Sequence, residues 1–471
     1  MSATVYHRQE CRRKTGLWGF HPPHHFKEEK LPRVLVLGAG MAGLVAARIL
    51  HDTGFPVLVL EARPRLGGRI LTDLSLGSPV DMGASWIHGA RGNPLTKWCE
   101  RLGITIRLFP TGPTRFLENG RPQVLSVLAC RSWRAVLKGL LRYTILCLGG
   151  RSNHHLSDLF DPLKKDPLLP GAERRLIAWV EALQEGINGA PAPAVSLTEL
   201  EIPNLFSINA IPLPGYGALI KDAAQGLDIM LDCAVKRVAL TEDHVIVQTT
   251  NGTIHAEVAI VTFPLAILRK LSFDPPLPRR KQVALGSIGY GGNAVLNKVA
   301  VRLSSPLCPA RWERLGCLPD LEEQHHPIVL WTNMDSVLHV PLMVGFFSGP
   351  DAARLDTSSS EKELILLGVK SLGRMFKKEA SQVQGAKATR WLSDPWALGS
   401  YSFENGKSTT EDRLELSRPI EGRIYFAGEA THPTHYGTVH GALLSGQQVA
   451  IEIHKIYCCQ GPYRPKTPWN D

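Results

Sequence analysis

The chain has 471 residues, of which 44% are hydrophobic and 20% charged, and this composition is typical of a folded globular protein. The formal net charge is +10, but the Lys and Arg residues are spread along the chain without a nucleic-acid-binding motif, so we expect no nucleic-acid partner. The nine cysteines include no CxxC pair. We therefore expect no metal site and free thiols, as in a reducing compartment.

No segment of the sequence predicts membrane insertion. Residues 1–30 are basic and histidine-rich, and we expect a disordered tail there; residues 459–471 are expected to form a second tail. The N-terminus lacks the apolar core of a secretory signal, and the most apolar helix candidate, about residues 134–149, is too short and too charged to span a bilayer. These features predict a cytoplasmic protein without a transmembrane segment and leave the oligomeric state open.

Residues 33–61 predict a strand, a glycine-rich turn, a helix and a second strand. Gly38 is expected to make the tight turn, Gly40 to let the backbone approach a pyrophosphate, and Gly43 to let the helix pack against the strand. The helix N-terminus favours negative charge. Glu61 follows about twenty residues later, where an acid accepts from a ribose hydroxyl and disfavours a 2′-phosphate. This unit predicts dinucleotide binding, with NADP disfavoured.

Two later glycine-rich stretches extend this unit. Gly67, Gly68 and Arg69 provide another close approach of the backbone and a cation beside the pyrophosphate, a feature that bears on the choice between NAD and FAD. In the stretch from residue 83 to 89, glycines lie on either side of Trp86, which suggests backbone pressed against a flat ligand. The alternative for this second stretch is an ordinary strand and turn.

Dinucleotide-type patterning occupies three separate parts of the chain. We expect one domain to be built from residues 31–95, 212–275 and 391–458. The greater part of residues 96–211 is predicted to be mostly helical. Residues 96–211 and 276–390 together are expected to form a second domain. Both domains would therefore be discontinuous and interleaved along the sequence.

Six further blocks resemble the flavin-containing amine oxidase family. These blocks are GASWIHG at 83–89, TFP at 262–264, LNK at 296–298, RWLSDPWALGSYSF at 390–403, FAGEATH at 426–432 and GTVHGALLSG at 437–446. Within the family the sequence is most similar to polyamine oxidases of the spermine and N1-acetylpolyamine type. It is also similar to the catalytic domain of histone lysine demethylases.

The resemblance implies an α/β protein, in which a Rossmann-type FAD-binding domain is interleaved with an α+β substrate domain whose mixed sheet is flanked by helices. It implies that a C–N bond of a polyamine is oxidised to an imine, which is hydrolysed to an aldehyde and an amine while O2 is reduced to H2O2. FAD is expected to be non-covalent, because no cysteine lies between Thr431 and Tyr436, where monoamine oxidases carry the flavin-linked cysteine. The alternatives are a monoamine or methyl-lysine oxidase, and a non-catalytic flavin-fold binding protein.

The same resemblance implies further cofactor contacts. Val235 would exchange backbone hydrogen bonds with adenine, and Glu429 would meet the pyrophosphate–ribitol region. Thr438 would open the last helix, whose N-terminus would stabilise negative charge on reduced flavin. Besides the glycines, Glu61 and Arg69 named above, the expected FAD-binding residues are Met41, Ala42, Ala62, Arg63, Gly83, Ala84, Ser85, Trp86, Val235, Thr262, Trp391, Trp396, Gly428, Glu429, Thr438 and Val439.

Five residues are predicted to act on the substrate. Lys298 lies on an apolar strand, where an unpaired ammonium is costly; the resemblance places it under flavin N5, and the alternative is that it extends to the sheet edge. Tyr401 and Tyr436 match aromatic walls that hold an amine, unless they are core aromatics. His88 would orient the substrate nitrogen, or alternatively bond to backbone. Glu185 is the candidate carboxylate for a distal ammonium of the substrate.

Overall fold

The computed structural model describes residues 31–118, 121–124, 133–200, 209–319, 328–377, 382–458 and 467–469. The tail predicted for residues 1–30 lies outside these ranges, as does most of the tail predicted for residues 459–471. Within the latter, Trp469 packs against Trp98, with the ring centroids 4.9 Å apart. None of the helices in these ranges combines the length and the apolarity that crossing a bilayer requires.

The strands and α-helices are numbered here in chain order. The strands are β1 Val34–Leu37, β2 Val57–Leu60, β3 Thr72–Asp73, β4 Val80–Asp81, β5 Ile106–Leu108, β6 Arg115–Glu118, β7 Arg121–Val124, β8 Ala210–Pro212, β9 Asp228–Met230, β10 Val235–Leu240, β11 Val245–Thr249, β12 Gly252–Ala256, β13 Val258–Val261, β14 Ser272–Asp274, β15 Asn297–Leu303, β16 Arg314–Gly316, β17 Ile328–Asn333, β18 Leu342–Phe347, β19 Val383–Ala388 and β20 Ile424–Phe426. The helices are α1 Met41–Asp52, α2 Pro94–Arg101, α3 Trp133–Leu148, α4 Leu156–Lys164, α5 Gly171–Asn188, α6 Gly217–Ala224, α7 Leu265–Leu268, α8 Arg279–Ser287, α9 Asp335–Leu338, α10 Gly349–Ser358, α11 Glu361–Phe376, α12 Thr410–Ser417 and α13 Val439–Cys458.

A five-stranded parallel sheet holds the glycine-rich unit. Its order is β20-β13-β1-β2-β9, and β1 lies at its centre with every residue fully buried, which accounts for its continuous apolar sequence. Helix α1 packs closely on β1, because a Cβ at Gly43 would lie 2.0 Å from the carbonyl oxygen of Gly38. Helix α13 packs equally closely on α1, since a Cβ at Gly446 would lie 2.2 Å from the carbonyl oxygen of Ala42. These contacts fix the start of α1 at the carboxyl edge of the sheet.

A seven-stranded mixed sheet forms the second large layer, in the order β19-β15-β18-β17-β16-β6-β7. Strands β16 and β6 are parallel, and the other neighbours in this sheet are antiparallel. A smaller four-stranded sheet has the order β12-β11-β10-β14. The combination of a parallel sheet, mixed sheets and helices confirms the predicted α/β fold class.

The segment predicted to be mostly helical is only partly so. Helices α2 to α5 are present, but β5, β6 and β7 precede α3, and that part of the prediction is wrong. Strand β6 pairs with β16, which lies about two hundred residues later in the chain. Such a partner leaves no local pattern in a four-residue strand, and so the sequence around residue 115 did not indicate it.

Candidate active site

A cavity of about 1690 Å³ connects the two large sheets. Its lining includes residues that directly follow four neighbouring parallel strands: Gly38 after β1, Glu61 after β2, Thr262 after β13 and Gly428 close behind β20. On the other side, the cavity is lined by residues of β15, β16, β17 and β18 of the mixed sheet. Ligands of open α/β sheets bind outside the carboxyl ends of the strands, so this cavity has the expected position for a cofactor.

The glycine-rich turn leaves an open cradle at the start of α1. Gly40 caps this helix without a side-chain hydrogen bond, and a Cβ placed on it would meet only the carbonyl oxygen of Gly67, at 4.0 Å. The first backbone N–H groups of α1 therefore face the cavity beside Gly68. Free N–H groups at a helix N-terminus bind phosphate well. This part of the cavity fits a pyrophosphate.

Glu61 lies at the end of the same cradle. Its carboxylate accepts backbone hydrogen bonds from Ala39 N at 2.8 Å and Arg63 N at 2.9 Å. Burial raises the pKa of Glu61, although both hydrogen bonds and the nearby arginines act in the opposite direction. Arg63 in turn donates two hydrogen bonds to Asp394, at 2.7 and 2.8 Å, which fixes the loop after β2. The acid is thus held in place at the cavity wall, as ribose recognition requires.

An ion pair between the half-buried Arg69 and the buried Glu429 holds the opposite side of the cavity. Arg69 Nη1 donates to Glu429 Oε1 at 2.8 Å, and Glu429 Oε2 accepts from Ser402 Oγ at 2.6 Å and from Gly437 N at 2.7 Å. Burial acts to raise the pKa of Glu429, but Arg69 and these hydrogen bonds outweigh it and hold the pKa below its ordinary value. This network joins the two ends of the loop between β20 and α13 and links that loop to Arg69 and Ser402, and so it fixes the side of the cavity where α13 begins.

Lys298 projects from β15 into the cavity with only 4% of its surface exposed. Its Nζ donates to the carbonyl oxygens of Asp81 at 2.9 Å and Gly83 at 2.5 Å, and to Ser85 Oγ. Burial lowers the pKa of Lys298 to about 8, while the attraction of Asp81 opposes this change. The side chain does not extend to the sheet edge, and oxygen atoms satisfy the ammonium as burial requires.

Tyr401 and Tyr436 both line the cavity, and their hydroxyl groups are tied to other parts of the chain. Tyr401 OH donates to the carbonyl oxygen of Gly186 at 2.8 Å, and Tyr436 OH donates to Glu199 Oε1 at 2.7 Å. The guanidinium of Arg413 lies over the Tyr436 ring, with Cζ 3.7 Å from the ring centroid. Both rings are therefore oriented by contacts at their polar ends or faces, which leaves aromatic surface at the cavity wall.

His88 also lines the cavity and is exposed to it; the protein packed around the ring lowers its pKa, although a hydrogen bond with Asn209 opposes this. Near it lies His440, whose pKa is lowered to about 4 by burial and by the neighbouring histidines. The rings of His435 and His440 have centroids 4.6 Å apart. At neutral pH His88 and His440 are neutral and can accept a hydrogen bond from an amine.

Glu185, the predicted carboxylate for the substrate, does not line the cavity. Its Oε1 accepts from Ala192 N at 2.8 Å, and burial raises its pKa to about 7. Helix α5 presents the neighbouring Gly186 and Ile187 to the cavity and turns Glu185 towards the loop that follows the helix. The substrate role expected for this residue is therefore withdrawn.

Apart from Gly43, which packs α1 on β1, the structure brings all the predicted cofactor-binding residues to the cavity wall, together with Lys298, His88 and both tyrosines. The sequence reasoning missed Glu199, Arg314, His435 and His440, which also line it. His440 stands inside the GTVHG block and could have been found there. Glu199 and Arg314 are single charged residues outside any motif.

The parallel sheet, the open helix N-terminus and the acid after β2 define a dinucleotide-binding protein, whose cavity extends beyond the cradle to the seven-stranded sheet. Comparison with known proteins gives the family. Residues 41–454 match the family described as flavin containing amine oxidoreductase. The chain belongs to this family, and FAD is its cofactor.

Individual relatives are similar over most of this chain. Polyamine oxidase 4 of Oryza sativa subsp. japonica is 30% identical, and the alignment covers 90% of this chain and 89% of the relative. Lysine-specific histone demethylase 1B of Mus musculus is 31% identical over 92% of this chain but only 53% of the relative. A solved structure of a redesigned putrescine oxidase superposes with a TM-score of 0.70 at 21% identity, covering 90% of this chain and 99% of that one, and shows the same fold.

Proposed function

We propose that this protein oxidises a C–N bond of a polyamine to an imine, with O2 as the final electron acceptor. The hydrogen on the carbon beside nitrogen leaves with two electrons, water then adds to the imine, and the C–N bond breaks to give an aldehyde and an amine. The two electrons and two protons reduce O2 to H2O2. Bound FAD supplies the two-electron acceptor. The observation that carries the proposal is the position of Lys298, Tyr401 and Tyr436 in the same cavity as the dinucleotide cradle.

The residues of the cavity wall provide what amine oxidation needs. The reacting nitrogen must be neutral, because an ammonium has no lone pair to assist loss of the neighbouring hydrogen. Partial removal from water and the nearby cations of the wall both favour the neutral form. We propose that Tyr401 and Tyr436 frame the reacting carbon and exclude water, and that His88 accepts a hydrogen bond from the nitrogen. Lys298 would place a donor and a positive charge at the opposite wall.

The same proposal assigns the two domains. The strands of the parallel sheet come from residues 31–95, 212–275 and 391–458, and the strands of the seven-stranded sheet come from residues 96–211 and 276–390. We propose the first set as the FAD domain and the second as the substrate domain.

We also propose that FAD is bound non-covalently, because no cysteine lines the described part of the cavity. A cytoplasmic location is proposed as well, in keeping with the described cysteines being free thiols.

The names of the relatives suggest polyamines as the first substrate class, and the similarity to a histone demethylase makes a methyl-lysine side chain the second. A panel of polyamines, monoamines and methyl-lysine peptides separates these classes. The measurement is peroxide and aldehyde formation by the purified FAD-loaded protein. We expect both products in equal amounts with at least one polyamine. Peroxide without aldehyde, or no product with any polyamine, would contradict the assignment.

A further inference from the structure

The substrate side of the cavity carries an excess of positive charge. Arg91, Arg151, Arg314 and Lys298 line it away from the FAD cradle. Among the described lining residues of this side, Glu199 is the single acid, and its Oε1 accepts the hydroxyl of Tyr436. A substrate with several ammonium groups would meet like charges here, which is unfavourable in a partly desolvated site.

Arg314 and Lys298 project from the same face of the seven-stranded sheet. Lys298 on β15 is paired with Phe346 on β18, and Phe346 is paired with Leu330 on β17. Thr332 lies two residues after Leu330, so it is on the same face, and it is paired with Arg314 on β16. Three strand spacings separate β15 from β16, a distance of about 14 Å. The cavity therefore offers two cations at opposite ends of one wall, with apolar side chains of β17 and β18 between them.

Arg314 differs from the other arginines of the cavity that are buried or half-buried in having no partner among the described residues; Arg91, which also has none there, is exposed. Arg63 is paired with Asp394, Arg69 with Glu429, and Arg151 donates to backbone carbonyl oxygens. Within the described ranges, by contrast, no hydrogen bond or ion pair involves the side chain of Arg314, although burial lowers its pKa. A desolvated guanidinium without a partner is costly.

The acid next to Arg314 in the sequence cannot serve as that partner. Glu313 is buried, and its carboxylate accepts from Thr111 N at 2.5 Å, from Thr111 Oγ1 at 3.0 Å and from Ser336 Oγ at 3.0 Å. Successive residues of a strand point to opposite sides, so Glu313 faces away from the cavity that Arg314 lines. The guanidinium of Arg314 is therefore available to bind a ligand in the cavity.

We propose that Arg314 forms an anion subsite that binds a carboxylate at the far end of the substrate amine. The planar guanidinium matches a carboxylate with two parallel hydrogen bonds, and an apolar chain between amine and carboxylate would lie against Leu330 and Phe346. The favoured substrate is then an aliphatic amine with a terminal carboxylate. The inference rests on the proposed amine oxidation but departs from its polyamine class, because a carboxylate takes the place of the far ammonium of a polyamine.

Three substrates of equal chain length test the subsite, with a carboxylate, an acetamide or an ammonium as the far group. For the wild type we expect the highest kcat/KM with the carboxylate. Arg314→Gln should lower kcat/KM for the carboxylate by about 10- to 100-fold, the scale of a lost charge-assisted hydrogen bond, mainly through KM. Arg314→Lys should retain part of the preference. Arg311→Gln, which removes the same charge from an exposed residue outside the cavity, should have no effect.

A binding measurement separates this inference from the proposed reaction. Titration calorimetry with the carboxylate chain in which an ether oxygen replaces the amine requires no turnover. We expect this compound to bind the FAD-loaded wild type. Its affinity for Arg314→Gln should be about 10- to 100-fold lower, the same factor as expected for kcat/KM. Equal binding to both, or a wild-type preference for the ammonium or acetamide chain, would overturn the subsite. Failure of every amine to react, with binding as expected, would overturn the proposed function but leave the subsite standing.

Discussion

Replacing Gly40 with valine is expected to give a folded protein that has lost FAD. Gly40 has an ordinary extended backbone, with φ −79° and ψ −178°, and the protein itself leaves its Cβ position open. The branched side chain would instead occupy the cradle where a pyrophosphate approaches the N-terminus of α1. We expect FAD affinity to fall by about a hundredfold or more, since several charge-assisted hydrogen bonds are lost together.

The visible flavin absorbance of the purified variant, compared with its absorbance from aromatic residues, measures this loss. Circular dichroism and thermal unfolding establish that the variant is folded. The matched control is Gly171→Val, at the exposed start of α5, where a Cβ meets nothing within 4 Å. Gly38 and Gly43 are unsuitable, because a Cβ there would lie 2.6 and 2.0 Å from protein atoms. Normal flavin content in a folded Gly40→Val protein would contradict the assignment of this turn as the pyrophosphate-binding site.

Replacing Lys298 with methionine is expected to leave FAD bound and to slow turnover by roughly ten- to a thousandfold, the scale of losing one electrostatic contact or proton-transfer group. Methionine keeps the length and the apolar stem but removes the charge and the donors. The oxygen atoms that now accept from Nζ belong to Asp81, Gly83 and Ser85, which lie outside the glycine cradle. Because Gly83 and Ser85 are themselves expected FAD contacts, the flavin content of the variant is measured before its turnover. Stopped-flow absorbance assigns the defect to amine oxidation or to reoxidation.

The pH dependence adds a second signature. Burial lowers the pKa of Lys298 to about 8, so its positive charge is present below that pH and is lost as the pH rises through it. If the charged form serves the reaction, the rate of the affected half-reaction should fall above about pH 8 in the wild type. This inflection should be missing from Lys298→Met. The exposed Lys370→Met on α11 is the control, and unchanged rates in both half-reactions would exclude a catalytic role for Lys298.

Hydrophobic patterns and glycines predicted the elements whose structure is determined by residues close together in the sequence. The apolar runs of β1 and β2 indicate buried strands and the glycines between them indicate a tight turn. The structure has α1 at Met41–Asp52 between these two strands, in the predicted order. Strand β6 was missed because its partner β16 lies far along the chain, and β7 joins the sheet only through its pairing with β6. Pairing of that kind is decided by tertiary contacts, which overrule local propensity.

The candidate site shows the same division. The predicted residues within motifs line the cavity, with the exception of Gly43. Glu185 was chosen only for its charge and helical position, and its carboxylate binds Ala192 N in the loop after α5 instead. Arg314 and Glu199 stand in no motif, and only the register of the mixed sheet and the fold of the loop after α5 bring them to the cavity. The sequence around a single charged residue does not indicate which part of the folded protein its side chain will contact.

The central claim is that an amine in this cavity reduces the bound cofactor. It is tested most directly by mixing the purified, FAD-loaded protein with an amine in the absence of oxygen and recording the visible flavin band. The account predicts that the band bleaches with at least one amine of the panel, and that admitting O2 restores it with formation of an equal amount of H2O2. A band that stays unchanged with every polyamine, monoamine, methyl-lysine peptide and carboxylate-bearing amine, in protein that retains its FAD, would contradict the claim.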